Sequence, residues 1–400
     1  MIVLIMATIA LILNWAIEYY RHQGYVNSIG IRVHVNGTRG KSSLTRLIAS
    51  GFRAGNIKTV AKTTGTLPRF ILPDGHEAAI VRLMGANIIE QKYIFRTAAK
   101  LKADAIIMEC MAVNPVFQWI TERQFVRSTI GVITNCRPDH LDLMGSSIQS
   151  VTMSLSNTIP KNGICYTAED EHFDILQKVA DKRHTKIHQI RPSDITQAEL
   201  DKFRYIEHAE NVQLALAVCA AAGISRETAL KGMQESRPDP GALMKYRICL
   251  KDKTVTFYNV FAANDPDSSA RIIKMVTGHL QGVEKIIIIN SRSDRFFRSQ
   301  QLVDAVKALE FSYLFLTGEI SDKVEHYALH QGIPKQKVIT LGQPLTDVIY
   351  QKVLELTDTE SHVIGIGNIA GEVKYGSQIV AHFKHKMQQS QKAELHHDKN

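Results

Sequence analysis

The chain has 400 residues, a formal net charge of +9, 44% hydrophobic and 22% charged residues. This is ordinary globular composition with room for two or three cores, and it excludes a disordered or low-complexity chain. The excess positive charge calls for anionic partners, yet no zinc-finger, helix-turn-helix or aromatic RNA-binding pattern accompanies it, which sets nucleic acid aside in favour of an acidic substrate or a membrane surface.

Residues 2–17 are apolar apart from Thr8 and Asn14, and Trp15, Tyr19 and Tyr20 close the run ahead of Arg21 and His22. As a helix to Tyr20 the segment rises about 28 Å, close to the thickness of a bilayer core. No charge precedes it and no small-x-small cleavage site follows. Residues 1–22 therefore read as a single-pass N-terminal membrane anchor with the rest of the chain in the cytoplasm. A signal peptide and a helix lying on the membrane are the competing readings. The five cysteines (Cys110, Cys136, Cys165, Cys219 and Cys249) are odd in number and mostly within apolar runs, the pattern of reduced thiols.

From Ile31 short β-rich runs alternate with amphipathic stretches, the mark of an α/β protein with a parallel sheet covered by helices. A strand over 31–35 leads into Asn36-Gly37-Thr38-Arg39-Gly40-Lys41-Ser42-Ser43, and a helix follows. Strand, glycine turn and helix form the context of a phosphate loop. Gly37, Thr38, Arg39 and Gly40 let successive N–H groups point at one anion at the positive end of the helix. Lys41 would reach the β- and γ-phosphates of a nucleoside triphosphate, and Ser42, with Ser43 beside it, would ligate Mg²⁺. The pattern is G-T-x-G-K-S, because Val35 stands where the common form has its first glycine. The plainer alternative is a glycine turn ahead of a basic helix.

A second strand over 58–61 runs into Lys62-Thr63-Thr64-Gly65-Thr66, a hydroxyl-rich turn flanked by Lys62 and Arg69, which can attract carboxylates. After a loop at Pro73-Asp74-Gly75 and a helix over 88–102, a strand over 105–108 delivers Glu109. Another over 129–134 delivers Asn135 and then Asp139-His140-Leu141-Asp142. Ligands of open α/β sheets sit outside the carboxyl ends of the strands. Glu109 there reads as a Mg²⁺ ligand or as a capping residue. His140, a softer donor than Mg²⁺ prefers, reads as a ligand of a second metal or as a structural histidine. Strands over 164–167 and 186–190 and a helix over 169–180 come next. Asn211 opens a helix over 210–222, as a cap or as a reader of an adenine edge.

Arg237-Pro238-Asp239-Pro240-Gly241 is the strongest breaker, dividing an ATP-binding domain at 28–240 from a smaller Rossmann-like domain at 241–383. Strands over 254–258, 285–289, 313–316 and 362–365 build the second. Asn264-Asp265-Pro266-Asp267-Ser268 forms a polar helix entry, and Arg292 and Arg295 follow a strand with two guanidiniums for phosphate or carboxylate. Gly365-Ile366-Gly367-Asn368 ends another strand as a glycine pair or a tight turn. Residues 384–400 read as a polar, frayed tail.

Together, Gly37-Thr38-x-Gly40-Lys41-Ser42, Glu109, Asp139-His140-Leu141-Asp142, Asn211 and the Pro240-Gly241 junction resemble the Mur ligase and folylpolyglutamate synthase superfamily from about residue 30 to 375. Arg39, the tract 62–66, Glu109 to Pro115, Pro238 to Gly241 and Phe261 to Asp265 are most similar to its poly-γ-glutamate synthase ligase family. The resemblance implies an ATP- and Mg²⁺-dependent amide ligase. Such a ligase adds glutamate to a poly-γ-glutamate chain through an acyl phosphate, at the membrane and with other membrane subunits. It implies catalytic roles for Lys41, Glu109 and His140, metal ligation by Ser42, Glu109 and His140, and nucleotide contacts from Asn211, Asn264, Arg292 and Arg295. Three Mur features are missing. No lysine lies between 143 and 160, where Mur enzymes carry a carbamylated one and Ser156 stands near its place; the D-x-x-A-H-N-P motif is Asn259 to Pro266 without its Asp or His; and Ala242 replaces an arginine. A ligase for another acceptor, such as a folate or cell-wall peptide, and a non-catalytic nucleotide-binding subunit tethered to the membrane stay open as alternatives.

Overall fold

The computed structural model describes residues 1–400 apart from 65–67, 83–84, 192–193, 239–242, 262–265, 370–373 and 398–400, and apart from the side chains of 266–268 and 394–397. Two units result, one comprising 1–203 with 207–240 and the other 204–206 with 241–400.

The first unit opens with helix α1 (Ile2–Asn27). Residues 28–30 join it to β1 (Ile31–Asn36), and α2 (Lys41–Ala54) and β2 (Thr59–Thr63) follow. Next come a hairpin of β3 (Arg69–Ile71) and β4 (Glu77–Ala79), then α3 (Glu90–Lys100), β5 (Ala105–Glu109) and α4 (Pro115–Ile120). After β6 (Ile130–Ile133) the chain forms α5 (Leu141–Met144), α6 (Ile148–Leu155), β7 (Ile164–Thr167), α7 (Phe173–Lys182) and β8 (Lys186–Gln189). Three helices close the unit: α8 (Gln197–Asp201), α9 (Ala209–Ala221) and α10 (Arg226–Gln234).

Among the described residues the sheet order is β4-β3-β2-β5-β1-β6-β7-β8, parallel except for β3 and β4. The three-residue strands β3 and β4 are too short to show a period, and the sequence reading has only a loop there. At the centre β1 and β5 are buried on both faces, which is why they read as continuous apolar runs. Val35, odd as a loop residue, is a fully buried strand residue. Parallel register sets Val35 beside Glu109 and Asn36 beside Ile133, so three strand ends reach one edge together.

The apolar part of α1 is exposed, from Ile2 at 73% to Ile17 at 57%. Its last turns dock on the unit. The His22 Nε2 meets the Phe125 carbonyl at 3.0 Å, the Gln23 amide donates to the Gln124 carbonyl at 3.0 Å, and Arg127 donates to Gln23 at 2.6 Å. Val26 and Ile29 are fully buried.

The second unit contains β9 (Lys245–Cys249), β10 (Thr254–Asn259), α11 (Pro266–Thr277), β11 (Glu284–Ser291) and α12 (Phe296–Lys307). It continues with β12 (Tyr313–Gly318), α13 (Ser321–His330), β13 (Val338–Gly342), α14 (Thr346–Leu356), β14 (Glu360–Gly367) and α15 (Tyr375–His397). The sheet order is β13-β12-β11-β14-β10-β9, with β9 antiparallel and the rest parallel. Ile287 and Ile289 pack on one face with Leu302 and Leu316, while Ile286 and Ile288 pack on the other with Phe257 and Phe383. The period of two across β11 thus serves two cores at once. One expectation is corrected here: instead of fraying at 384, the chain stays helical through α15 to His397. Phe383 is fully buried and Met387 packs on the same core, which holds the helix past the expected break.

All five cysteines are free, four of them buried and Cys249 partly so. Burial pushes the thiols of Cys136 and Cys219 up to about 12, so they behave as small apolar side chains.

Candidate active site

The carboxyl edge of the first sheet is built on the turn between β1 and α2. Gly37 has φ +127° and Gly40 φ +86°, both left-handed. A side chain at Gly37 would strike Thr134 Oγ1 at 2.0 Å, and one at Gly40 would strike Asn211 Oδ1 at 2.7 Å, so conformation and space both require glycine. Asn135 latches the turn. Its Oδ1 accepts from Thr38 Oγ1 at 2.7 Å and from the Arg39 N–H at 3.2 Å, and its Nδ2 donates to the Arg39 carbonyl at 3.2 Å. Lys41 curls over the turn, donating to the carbonyls of Gly37 at 2.7 Å and Thr38 at 3.2 Å. No side chain caps α2. The free N–H groups of its first turn and the Lys41 ammonium therefore make a concave, positive cradle suited to phosphate.

Next to the cradle, Ser42 Oγ donates to Glu109 Oε2 at 2.9 Å, and the Thr64 N–H donates to the same oxygen at 2.7 Å. Glu109 is buried. Hydroxyl and carboxylate oxygen are hard donors, the kind Mg²⁺ selects when phosphates and water complete its shell. Among the described residues no group of three or more His, Cys, Asp or Glu side chains gathers to hold a metal by itself. A divalent cation shared with nucleotide phosphates fits this sparse donor set.

His140 stands apart. It precedes α5 with φ +46°, its side chain is 53% exposed, and its nearest acidic partner is Asp139 at 4.0 Å. Among the described residues no hydrogen bond or ion pair joins it to Ser42 or Glu109. Asp139 faces Arg39 of the loop at 3.7 Å.

Asn211 lies in the first turn of α9, directly under Gly40, and is buried. Its Nδ2 donates to Glu207 Oε1 at 2.8 Å, which aims its Oδ1 at the loop. Sequence reasoning missed Glu207, although its spacing of four from Asn211 is visible. Burial pushes the Glu207 carboxyl above its ordinary range, against the hydrogen bonds from Asn211, His208 and Ser43.

Lys62 does not serve as an open attractor of carboxylates. It is fully buried and ion-paired with Glu90, and it also donates to Gln91 at 3.1 Å. Glu90 takes both ends of the Arg82 guanidinium, at 2.9 and 2.8 Å. Burial works to raise the Glu90 carboxyl, but Arg82 and Lys62 outweigh it and hold it low. Arg69 differs from Lys62, for its Nε is buried with no hydrogen-bond partner among the described residues. Beneath the loop, His34 of β1 meets Glu122 at 2.8 Å with both side chains buried. Burial alone would lower His34; Cys110 and Glu122 raise it to about 9.

In the second unit Arg292 meets Asp294 at 2.8 Å, and Arg295 lies 4.0 Å from the same carboxylate. Asn264 lies outside the described residues.

Two family models match the chain: the Mur ligase middle domain over residues 35–233 and the poly-gamma-glutamate synthase CapB C-terminal domain over residues 246–386. The capsule biosynthesis protein CapB of Bacillus anthracis is 38% identical over 368 residues, covering 91% of this chain and 79% of that protein. The PGA synthase CapB of Bacillus subtilis (strain 168) is 37% identical over 376 residues, covering 92% and 94%. Among solved structures, folylpolyglutamate synthase from Thermotoga maritima aligns with a TM-score of 0.54 at 11% identity, over 89% of this chain and 94% of that one. The Yersinia pestis bifunctional folylpolyglutamate synthase/dihydrofolate synthase complexed with AMPPNP and Mn ion aligns at 0.53 and 13% identity, over 90% and 91%. The last two are likenesses of fold.

Proposed function

Because the chain belongs to the CapB family of poly-γ-glutamate synthases within the Mur ligases, we propose that it is an ATP-dependent amide ligase that extends poly-γ-glutamate by one glutamate per turn. The terminal γ-carboxylate of the growing chain attacks the γ-phosphorus of ATP and expels ADP, forming an acyl phosphate. The amine of the incoming glutamate attacks the acyl carbon, phosphate leaves, and the amine gives up a proton as the amide forms.

The observation that carries this reading is the junction of Ser42 Oγ, Glu109 Oε2 and the Thr64 N–H within hydrogen-bonding distance beside the Lys41 cradle. The backbone of Gly37, Thr38, Arg39 and Gly40 would hold the phosphates. Lys41 would move from its loop carbonyls onto the transferring group, where fixed positive charge contributes most to phosphoryl transfer. Mg²⁺, held by Ser42 and Glu109, would offset the charge of the phosphate oxygens. Glu207 would fix Asn211 so that its amide supports the nucleotide side of the loop. Arg69, with its unpartnered Nε, suits a carboxylate of the acceptor chain. His140, exposed at the turn before α5, would hold a second or shared ion. Asn264, Arg292 and Arg295 would complete the nucleotide site from the second unit as such ligases close.

Helix α1 is long and apolar enough to cross a membrane. As a single-pass anchor it would keep both units at the cytoplasmic face, alongside partner subunits and the emerging polymer. The test is glutamate-dependent ADP release by the membrane fraction, measured together with chain growth. ADP release indifferent to glutamate, with no polymer when partner subunits are present, would overturn the substrate assignment. Lys41→Ala is expected to abolish both signals while the unfolding transition stays in place.

A further inference from the structure

Resting on the reading of α1 as an anchor, the packing of the first unit against α1 leads to a second membrane contact. The unit packs against α1 well before its apolar segment ends: Asn14, Ile17 and Glu18 line a cavity of about 390 Å³ with α3, and Trp15 and Tyr19 line another of about 610 Å³ with α4. On the stretch that lies alongside protein, Trp15, Ile17 and Tyr20 are 64%, 57% and 73% exposed. Burying these side chains in lipid together with the rest of the apolar run brings the surface beside them into the bilayer.

That surface is suited to it. Ile89 and Tyr93, which line the first cavity, and Trp119, which lines the second, are between 43% and 69% exposed, as are Val116 and Phe117 of the same helix α4. Exposed aromatic and aliphatic side chains beside a spanning helix form the collar expected at a membrane interface. The acidic group within the sunken stretch, Glu18, is neutralised by Lys92 at 2.9 Å. One turn further, at the depth of the lipid phosphates, Arg21 and Arg96 line the same cavity as Ile89 and Tyr93. Both are exposed, and neither has a hydrogen bond or ion pair among the described residues. His22 lines both cavities. Its Nε2 faces a carbonyl, which can only accept, so Nε2 carries the proton. That leaves Nδ1 as an acceptor, buried and without a partner among the described residues.

We propose that the face of the first unit beside α1 is sunk into the bilayer through Tyr93, Phe117 and Trp119 and binds an anionic phospholipid whose phosphate is held by Arg21 and Arg96. The unit is seated in the membrane, and α1 is one part of that seat.

The chain's two tryptophans, Trp15 and Trp119, line the same cavity, so fluorescence reports on it directly. The full chain is reconstituted in phospholipid vesicles containing acyl-brominated lipid, as Trp119→Phe to isolate Trp15 and as Trp15→Phe to isolate Trp119. Quenching of both tryptophans is expected. Quenching of Trp15 with Trp119 unquenched overturns the seat and leaves the anchor standing, with a partner helix then the better occupant of that face. Quenching of neither overturns the anchor and the seat together. With brominated phosphatidylglycerol or brominated phosphatidylcholine as the minority lipid, Trp119 should favour the anionic lipid by roughly fivefold or more, the scale of one basic side chain at a charged surface. Arg21→Gln with Arg96→Gln should remove that preference while quenching in all-brominated phosphatidylcholine persists. Equal quenching by the two headgroups, or a preference untouched by the double substitution, overturns the phosphate assignment.

Discussion

The two units end their parallel strands in opposite ways. At the carboxyl edge of the first sheet the polar groups face outward: α2 has no cap, Lys41 hangs on loop carbonyls it can leave, and Ser42 and Glu109 share one bond beside open backbone. At the same edge of the second sheet the polar groups around Asn290 are spent on one another. Asn290 donates to the Asn368 carbonyl at 2.6 Å, Asn368 returns both its N–H at 3.0 Å and its Nδ2 at 3.2 Å to the Asn290 carbonyl, and Ser291 Oγ bonds the Thr317 carbonyl at 2.9 Å. Gly367, one of a suggestive glycine pair, has φ +100° and would place a side chain 2.5 Å from the Asn290 carbonyl. It is a close-packed turn. A doubly wound sheet thus supplies the position for a site but not the site; the difference lies in which polar groups are left unspent.

The sharpest way to break this comparison is to remove Glu109. Glu109→Ala should lower glutamate-dependent ADP release by about 10²–10³-fold, the range for loss of one preorganised electrostatic partner. A loss below tenfold would remove the contrast between Glu109 and the Asn290–Asn368 pair. A smaller effect separates the edges by pH. His34, under the phosphate loop, is raised to about 9 in the folded chain from an ordinary 6.5. A raised histidine contributes stability that is complete below about pH 6.5 and is lost as pH rises through 9. The unfolding free energy of the first unit should fall across that window by at most about 3 kcal/mol, and His34→Gln should flatten the profile. A transition that strengthens between pH 6.5 and 9 would contradict the His34–Glu122 pair as drawn.

Asn290→Ala tests the second edge. Stranding the buried Asn368 carbonyl should cost about 1–3 kcal/mol in denaturant unfolding, with nucleotide affinity unchanged. A loss of affinity with no loss of stability would show that Asn290 serves a ligand and not the turn. The smallest change is expected from Asn211→Ala, which removes the amide that Glu207 holds beneath Gly40. It should weaken nucleotide binding by roughly five- to tenfold, as followed by titration calorimetry.

The sequence was most legible where one local pattern carries the whole meaning. The phosphate loop and Glu109 lie at the ends of buried apolar runs, and parallel register alone brings them to one edge. It was least legible where a side chain's fate depends on a distant partner. Lys62 looked available to substrate because nothing near it in the chain says that Glu90 and Gln91 will enclose it. His140 sits in the expected motif, yet its left-handed backbone conformation sets it at an exposed turn, a property that residue type does not disclose. The hairpin of β3 and β4 escaped because three residues cannot display alternation, and the last helix looked polar because its buried side chains are widely spaced.

Residues 28–30 join α1 to β1, and Val26 and Ile29 on either side of that join are fully buried. From there β1 runs about 20 Å to the phosphate loop. In mechanical terms the connection has almost no slack: rod, rivet, strand and loop follow in one line. With α1 in a bilayer, the reacting edge stands at a set height on a post. Each new residue of an anionic chain would then be joined at one distance from the membrane, however long the chain has already grown.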